Sequence, residues 1–281
     1  MSAPASGVAG ARPAREVSLP LRPRSAAVLA VASVAGLLMF CWPLLVRHAG
    51  DGQSQPPFFF LALLPVVILV VLAELGEGGI DSKALAMLGV LTAINAVMRG
   101  VSAGLGGFEL VFFLLVLAGR VFGAGFGFVL GCTSLFASAL LTGGVGPWLP
   151  YQMLGAAWVG MGAGLLPRRV GGRSEIALLA VYGVAAAYLY GLLLNMSSWP
   201  FALGVALPGH TGSIAFVPGD PVAANLRRFW VFTLVTSTGS FDTGRALTNA
   251  VAVLVLGPAV LTTLRRAARR ASVTRVAASP P

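Results

Sequence analysis

From Val121 to Leu166 the chain carries no Asp, Glu, Lys or Arg. Leu110 to Gly119 and Ala246 to Leu264 are equally free of charge. A water-soluble domain has about 25% charged residues. Here only 10% of 281 residues are charged and 57% are hydrophobic. Runs of this kind need surroundings without water. The hydrocarbon core of a bilayer, about 30 Å thick, is crossed by roughly 20 helical residues. The chain therefore reads as an integral membrane protein.

Only helices and closed barrels satisfy their own backbone hydrogen bonds in hydrocarbon. The runs are continuously apolar, without the period-two alternation of a barrel strand, so an all-α architecture follows. Eight helices are predicted, at about 26–46, 57–75, 83–98, 108–119, 121–141, 149–166, 175–194 and 241–264. The first follows a basic tail. It is too long for a signal-peptide core and lacks a clear small-x-small cleavage site, so it reads as a retained helix. The fourth is short and must tilt or extend past Arg120. The apolar segment Arg228 to Ser237 is separated from the last helix by Thr238, Gly239 and Ser240. Joined, the two would span about 55 Å, so a kink or re-entrant piece is expected near Gly239.

Lys and Arg set the orientation, because cytoplasmic loops retain them. With the N-terminus cytoplasmic, the inner side collects Arg12, Arg15, Arg22, Arg24, Lys83, Arg120, Arg168, Arg169, Arg173, Arg265, Arg266, Arg269, Arg270 and Arg275. The outer side holds Arg47, Arg99, Arg227, Arg228 and Arg245. An even number of spans puts both termini inside, where both basic tails belong. The net charge of +10 then reflects topology and anionic lipid rather than nucleic acid. Residues 1–25 and 267–281 read as basic cytoplasmic tails, with 1–24 and 271–281 disordered. The longest loop, about Asn195 to Ser240, falls outside, together with the stretch Thr142 to Gln152, TGGVGPWLPYQ.

Small residues form seams that let helices approach closely in lipid. Ser82, Ala86, Gly89, Ala93 and Ala96 follow one another at spacings of four, three, four and three. Gly123, Gly127 and Gly131 repeat at four, and Ala156, Gly160 and Gly164 form a third seam. The last two are expected to pack within the chain. The first is also a candidate docking surface for another subunit.

Reactive chemistry is sparse. His48 and His210 are the two histidines, and HExxH, GxSxG, CxxC and Walker A patterns are missing. No catalytic or metal-ligating residue and no cofactor is assigned, and ATP hydrolysis is not expected of this chain. Cys41 and Cys132 read as small core residues. Glu74, Glu77 and Asp81 read as interfacial charges, and a chain of buried carboxylates for ion coupling is not evident. Glu109, Asp242 and Arg245 lie nearest the outer edge, and Asp242 and Arg245, three apart, share a helical face and can pair. Pro147 and Pro150 give a rigid start to the sixth helix, holding Trp148, Tyr151 and Gln152. Asn195, Ser197, Ser198 and Trp199 close the seventh. Aromatic faces with a few hydrogen-bonding groups suit a flat, partly polar organic molecule.

The run GRVFGAGFGFVLGCTSLFASALLTGGVGPWLPYQMLGAAWVGMGAG, within 113–164, resembles the substrate-specific (S) component of energy-coupling factor (ECF) vitamin transporters. The segment TSTGSFDTGRALTNAVAVLVLGPAVLTTLRRAARR is similar to the last helix of that family in actinobacteria. The likeness covers roughly residues 83–270. It implies a six-helix S-component-like core over 81–266, preceded by two extra transmembrane helices over 26–80, in a multi-pass protein of the bacterial cytoplasmic membrane. It further implies an ATP-driven importer in which this subunit captures a vitamin or related micronutrient from outside. A transmembrane coupling protein and a pair of ATP-binding subunits would be its partners. Cobalamin is one candidate solute among riboflavin, thiamine, biotin, folate and others, and the residues do not decide between them. The site the resemblance implies is lined by Trp148, Tyr151, Gln152, Asn195, Trp199, Asp242, Arg245 and Asn249. The implied docking face is Ala86, Gly89, Ala93 and Ala96, of which Gly89-x-x-x-Ala93 is the nearest match to the family's Ala-x-x-x-Ala. The competing expectation is a stand-alone secondary transporter of a small organic solute.

Overall fold

A computed structural model describes residues 23–45, 66, 82–102, 107–202 and 214–277, with side chains to 270. The predicted helix at 57–75 apart from Val66, the tail 1–22, Glu74, Glu77, Asp81 and both histidines lie outside the described residues. The rest is helical: α1 (Pro23–Phe40), α2 (Trp42–Leu45), α3 (Ser82–Ser102), α4 (Val111–Phe122), α5 (Ala124–Thr142), α6 (Leu149–Leu165), α7 (Arg173–Ser198), a 3-10 turn (Trp199–Phe201), α8 (Val222–Thr233), a π-helical stretch (Leu234–Asp242) and α9 (Thr243–Ala277). Among the described residues, five helical runs are long and apolar enough to cross a membrane. A multi-pass helical membrane protein follows.

Glycine decides the tightest crossing. Gly127 of α5 and Gly160 of α6 meet backbone to backbone, and a Cβ on either would run into the other's carbonyl oxygen. Gly131 lies against the Ala156–Ala157 backbone, and Gly164 against Gly123 and Ala124. The two predicted seams thus pack on each other, antiparallel. With no hydrophobic drive between helices in lipid, this approach is where dispersion contacts accumulate.

The short α4 runs through Arg120 to Phe122 and ends at Gly123, whose φ of 96° turns the chain directly into α5. At 12 residues it rises only about 18 Å, well short of a bilayer. It needs no lipid match, because Phe112 to Ala118 are all enclosed by other helices.

The polar segment before the last helix is not a break. From Val222 the chain stays helical through Thr238–Gly239–Ser240 to Ala277, changing only its winding between Leu234 and Asp242. Side-chain hydroxyls support the wider turn: Thr243 Oγ1 donates to the Thr238 carbonyl at 2.6 Å, five residues back. Within the expected outer loop 195–240 the segments 195–201 and 222–240 are helical, and the expected tail from 267 is helical to Ala277. The 49-residue run Val222–Arg270 rises roughly 70 Å, more than twice a hydrocarbon core, so it projects beyond it.

Contacts between helices fix a common register. Phe40 meets Tyr151, Asn95 meets Ser134, Phe112 meets Tyr190, and Glu175 meets Arg265. One end of the bundle therefore holds Arg99, Gln152 and Arg245, and the other holds Arg120, Glu175 and Arg265. Both the start of α1 and the end of α9 lie at the Arg120 end.

Candidate functional site

At the Arg245 end, polar side chains from separate elements converge. Arg245 donates from Nε to Glu109 Oε2 at 2.5 Å and from Nη1 to Asp242 Oδ1 at 3.2 Å. The Asp242–Arg245 pairing predicted from spacing is present, and Glu109 joins it. Asn249 Nδ2 donates to the Glu109 carbonyl at 2.6 Å and to the Arg245 carbonyl at 2.8 Å. Asp242 and Asn249 are each 1% exposed. A buried charge is tolerated only when paired and hydrogen-bonded, and Asp242 has two partners: Arg245 and the Ser237 hydroxyl, which donates to Oδ2 at 2.8 Å. The π winding places Ser237 and Asp242, five apart in sequence, on one face.

Two neighbours on α7 shape this cluster. Gly191 lies against the Asp242 carboxylate, so that any Cβ at 191 would occupy its place. Tyr190 lies under the Arg245 guanidinium, 5.0 Å from ring centroid to Cζ, and meets the Phe112 ring edge-on at 4.9 Å. On its other side a Cβ at Gly155 would fall 2.7 Å from the Tyr190 ring. Cation–π contact of this kind, shielded from water, adds to the holding of Arg245.

The remaining predicted residues divide. Gln152 faces the interior, where Oε1 accepts from Arg99 Nη2 at 3.0 Å. Tyr151 is buried against Phe40, ring centroids 5.2 Å apart, and its hydroxyl has no partner. Asn195 lies one turn beyond Gly191 on α7, and its buried Nδ2 is unpartnered. Trp148 is 52% exposed, with Nε1 donating to the Gly144 carbonyl at 3.2 Å, and forms a rim. Trp199 does not join the others. It is fully enclosed, donates to the Ile214 carbonyl at 2.9 Å, and centres a separate aromatic cluster with Phe216, Phe229 and Phe232. That cluster is a small second core where α8 meets the end of α7.

The opposite end is closed differently. Arg120 donates to Glu175 Oε1 at 2.7 Å and to the carbonyls of Leu166, Pro167 and Val170 at 3.0 Å each. Arg265 grips both oxygens of Glu175 at 2.7 and 2.8 Å. Among the described residues, the buried side-chain atoms without a partner are Asn95 Oδ1, Tyr151 Oη, Asn195 Nδ2, Thr233 Oγ1 and Asn249 Oδ1. None is on this knot. Buried polar groups are almost always satisfied in a folded protein, so unpaired ones call for a ligand or water. No family model, curated protein or solved structure matches the chain.

The candidate docking face is split by the structure. Ala86, Gly89 and Ala93 are exposed along α3, and a Cβ at Gly89 would meet nothing within 4 Å. Ala96 is 1% exposed and faces inward with Leu88 and Asn95, so it is not on that face.

Sequence reasoning did not single out Tyr190, Gly191 or Ser237 for the site, and it read Arg99 only as an outer charge. For Gly191 and Tyr190 there was no signal, since α7 is Ala- and Gly-rich throughout. Arg99 carried one: it is the only charge between Lys83 and Glu109, and it follows Thr92 and Asn95 at spacings of three and four that put all three on one helical face.

Proposed function

We propose that the chain is the membrane-embedded solute-binding subunit of an ATP-driven ECF-type importer. It captures a vitamin or related micronutrient at the outer face and delivers it inward with a coupling protein and two ATP-binding subunits. The observation that carries this reading is the contrast between the two ends. One is tied shut by a saturated charge knot. The other gathers Asp242, Arg245, Asn249 and Gln152 from α6 and from the π stretch and α9, beside buried polar atoms that lack partners. Lys and Arg counts put that second end outside. The start of α1 and the end of α9 share one end of the bundle, as the proposed cytoplasmic placement of both in a bacterial inner membrane requires. Cobalamin remains one of the candidate solutes.

Docking is proposed through Ala86, Gly89 and Ala93, where small side chains allow close backbone approach by another transmembrane helix. Purified chain should bind its vitamin without nucleotide, and uptake into cells should require the coupling protein and the ATP-binding subunits. Gly89→Leu should leave solute binding and thermal stability unchanged and abolish uptake. Normal transport by that variant would overturn the docking assignment.

The secondary-transporter reading gains something from the buried Asp242 and Glu175. Yet Glu175 and Gly191, which touches Asp242, are 16 residues apart on α7, about 24 Å, and both carboxylates are tied to arginines. A proton or sodium relay needs closer steps. Gradient-driven uptake into liposomes holding this chain alone would favour that reading.

A further inference from the structure

A ladder of hydrogen bonds climbs between α3 and α5. Thr92 meets Thr133 at 2.8 Å, Asn95 donates to Ser134 at 3.0 Å, and Arg99 donates from Nη1 to Ser138 at 3.0 Å. Arg99 is the top rung, partly buried, and Gln152 Oε1 on α6 takes its second donor at 3.0 Å. Both acceptors are neutral. Glu109 and Asp242, the carboxylates beside Arg245, are both engaged by it. Among the described residues Arg99 therefore has no carboxylate partner, and it has guanidinium N–H groups to spare. One turn below, Asn95 is fully buried with Oδ1 unpartnered.

Tyr190 lies under the Arg245 guanidinium. It lies within electrostatic reach of Arg99 as well as of Arg245 and Glu109. The Glu109–Arg245–Asp242 cluster sums to one negative charge and repels an anion. Arg99 sums to one positive charge and attracts one. Its guanidinium is held in place by Ser138 and Gln152, which favours the planar, two-pronged oxygens of a carboxylate or phosphate.

We propose that Arg99 is the anchor for an oxyanion of the solute, so that the substrate class is a small organic molecule bearing a carboxylate or phosphate. The inference rests on the solute-binding reading above. The oxyanion sits on Arg99 and the uncharged body of the solute lies toward Tyr190. A lipid headgroup offers the same oxyanion chemistry, and the test separates the two sources.

The full chain in detergent is titrated with biotin and folate (carboxylates), cobalamin (a phosphodiester), and riboflavin and thiamine (neither), reading thermal shift and isothermal calorimetry. The expected result is binding by a carboxylate or phosphodiester compound. Arg99→Gln should weaken it roughly 30-fold, the loss of a charge-assisted contact. Arg99→Lys should retain part of the affinity, and both variants should keep the ligand-free melting temperature within a few degrees. Binding of riboflavin or thiamine alone, or an oxyanion compound held equally by Arg99→Gln, overturns the proposal and leaves the solute-binding reading standing. Binding of none of the five overturns both. In nanodiscs, stabilisation by phosphatidylglycerol over phosphatidylcholine that Arg99→Gln removes, with no solute competing, assigns the oxyanion to lipid and overturns the proposal as well.

Discussion

Arg120 is the test of how the closed end is held. Its side chain is 4% exposed, and it bridges three elements: α4, the turn 166–170 after α6, and Glu175 at the start of α7. Arg120→Met keeps the apolar stem and removes the guanidinium. Three carbonyls lose their charged donor, and at about 1.5 kcal/mol per bond to a charged group this amounts to about 4.5 kcal/mol. The figure agrees with the range of about 3–5 kcal/mol for breaking a buried ion pair from one side. For a chain of this size roughly 2–4 °C per kcal/mol applies, so a fall in Tm of about 10 °C or more is expected by differential scanning fluorimetry in detergent. Arg265→Met is the internal control. Its side chain is 36% exposed and Glu175 keeps Arg120, so solvent screening limits the loss to about 1 kcal/mol. In Arg120→Met the Glu175 carboxylate still holds Arg265 through both oxygens, so adding Arg265→Met strands a buried charge and should lower Tm by more than the two single losses added. A loss below about 1 kcal/mol for Arg120→Met, or a double variant no worse than the sum of the single ones, would refute the reading.

Gly160→Ala forces α5 and α6 apart and should cost about 1–3 kcal/mol as overpacking, whereas Gly89→Ala on the open face of α3 should be neutral or stabilising by up to about 1 kcal/mol; chemical denaturation of both in the same detergent compares them. Gly191→Ala should expel the Asp242 carboxylate, lower Tm and weaken solute binding, and Asp242→Ser in the same chain should recover the Tm but not the binding. Trp148→Ala should leave Tm within about 1 °C, because an exposed substitution costs under about 0.5 kcal/mol; calorimetry on the same protein then reads whether the rim contributes to binding.

The apolar runs made most of the helices legible. A stretch without charge has one comfortable solution in a membrane, and α1, α3, α5 and α6 lie within a few residues of their predicted bounds. The glycine seams of α5 and α6 were legible for the same reason, because a spacing of four puts small residues on one face. Two features were not. Thr238, Gly239 and Ser240 are breakers by propensity, yet here the hydroxyls of the flanking Thr236 and Thr243 bond back along the helix and the winding widens instead of ending. Arg120 sits in an apolar run and looked like a boundary charge. Its partner is 55 residues away, and no local pattern reports a pairing of that range.

That range also explains why the candidate site was found in part. Asp242 and Arg245 share a helical face, so spacing alone paired them, and Asn249, four residues on, entered with the resemblance. Gln152 came from its own turn. What joins them is tertiary: Gly191 makes room for one carboxylate, Tyr190 lies under the Arg245 guanidinium, and the loop carrying Glu109 reaches across to α9. The first two depend on an absent or aromatic side chain on α7, a helix whose sequence gives no sign of it. Trp199 lies apart from the other candidates. An aromatic at a helix end beside Asn and Ser looked like part of a pocket wall, but its indole N–H is satisfied by the Ile214 carbonyl and its ring is enclosed by phenylalanines of α8. An aromatic near a membrane edge becomes a binding surface only where its polar tip and one face stay open. Among the predicted aromatics, Tyr151 keeps an unpartnered hydroxyl and Trp148 an open face. Variants at those two positions, rather than at Trp199, should alter affinity without altering the aromatic cluster around Trp199.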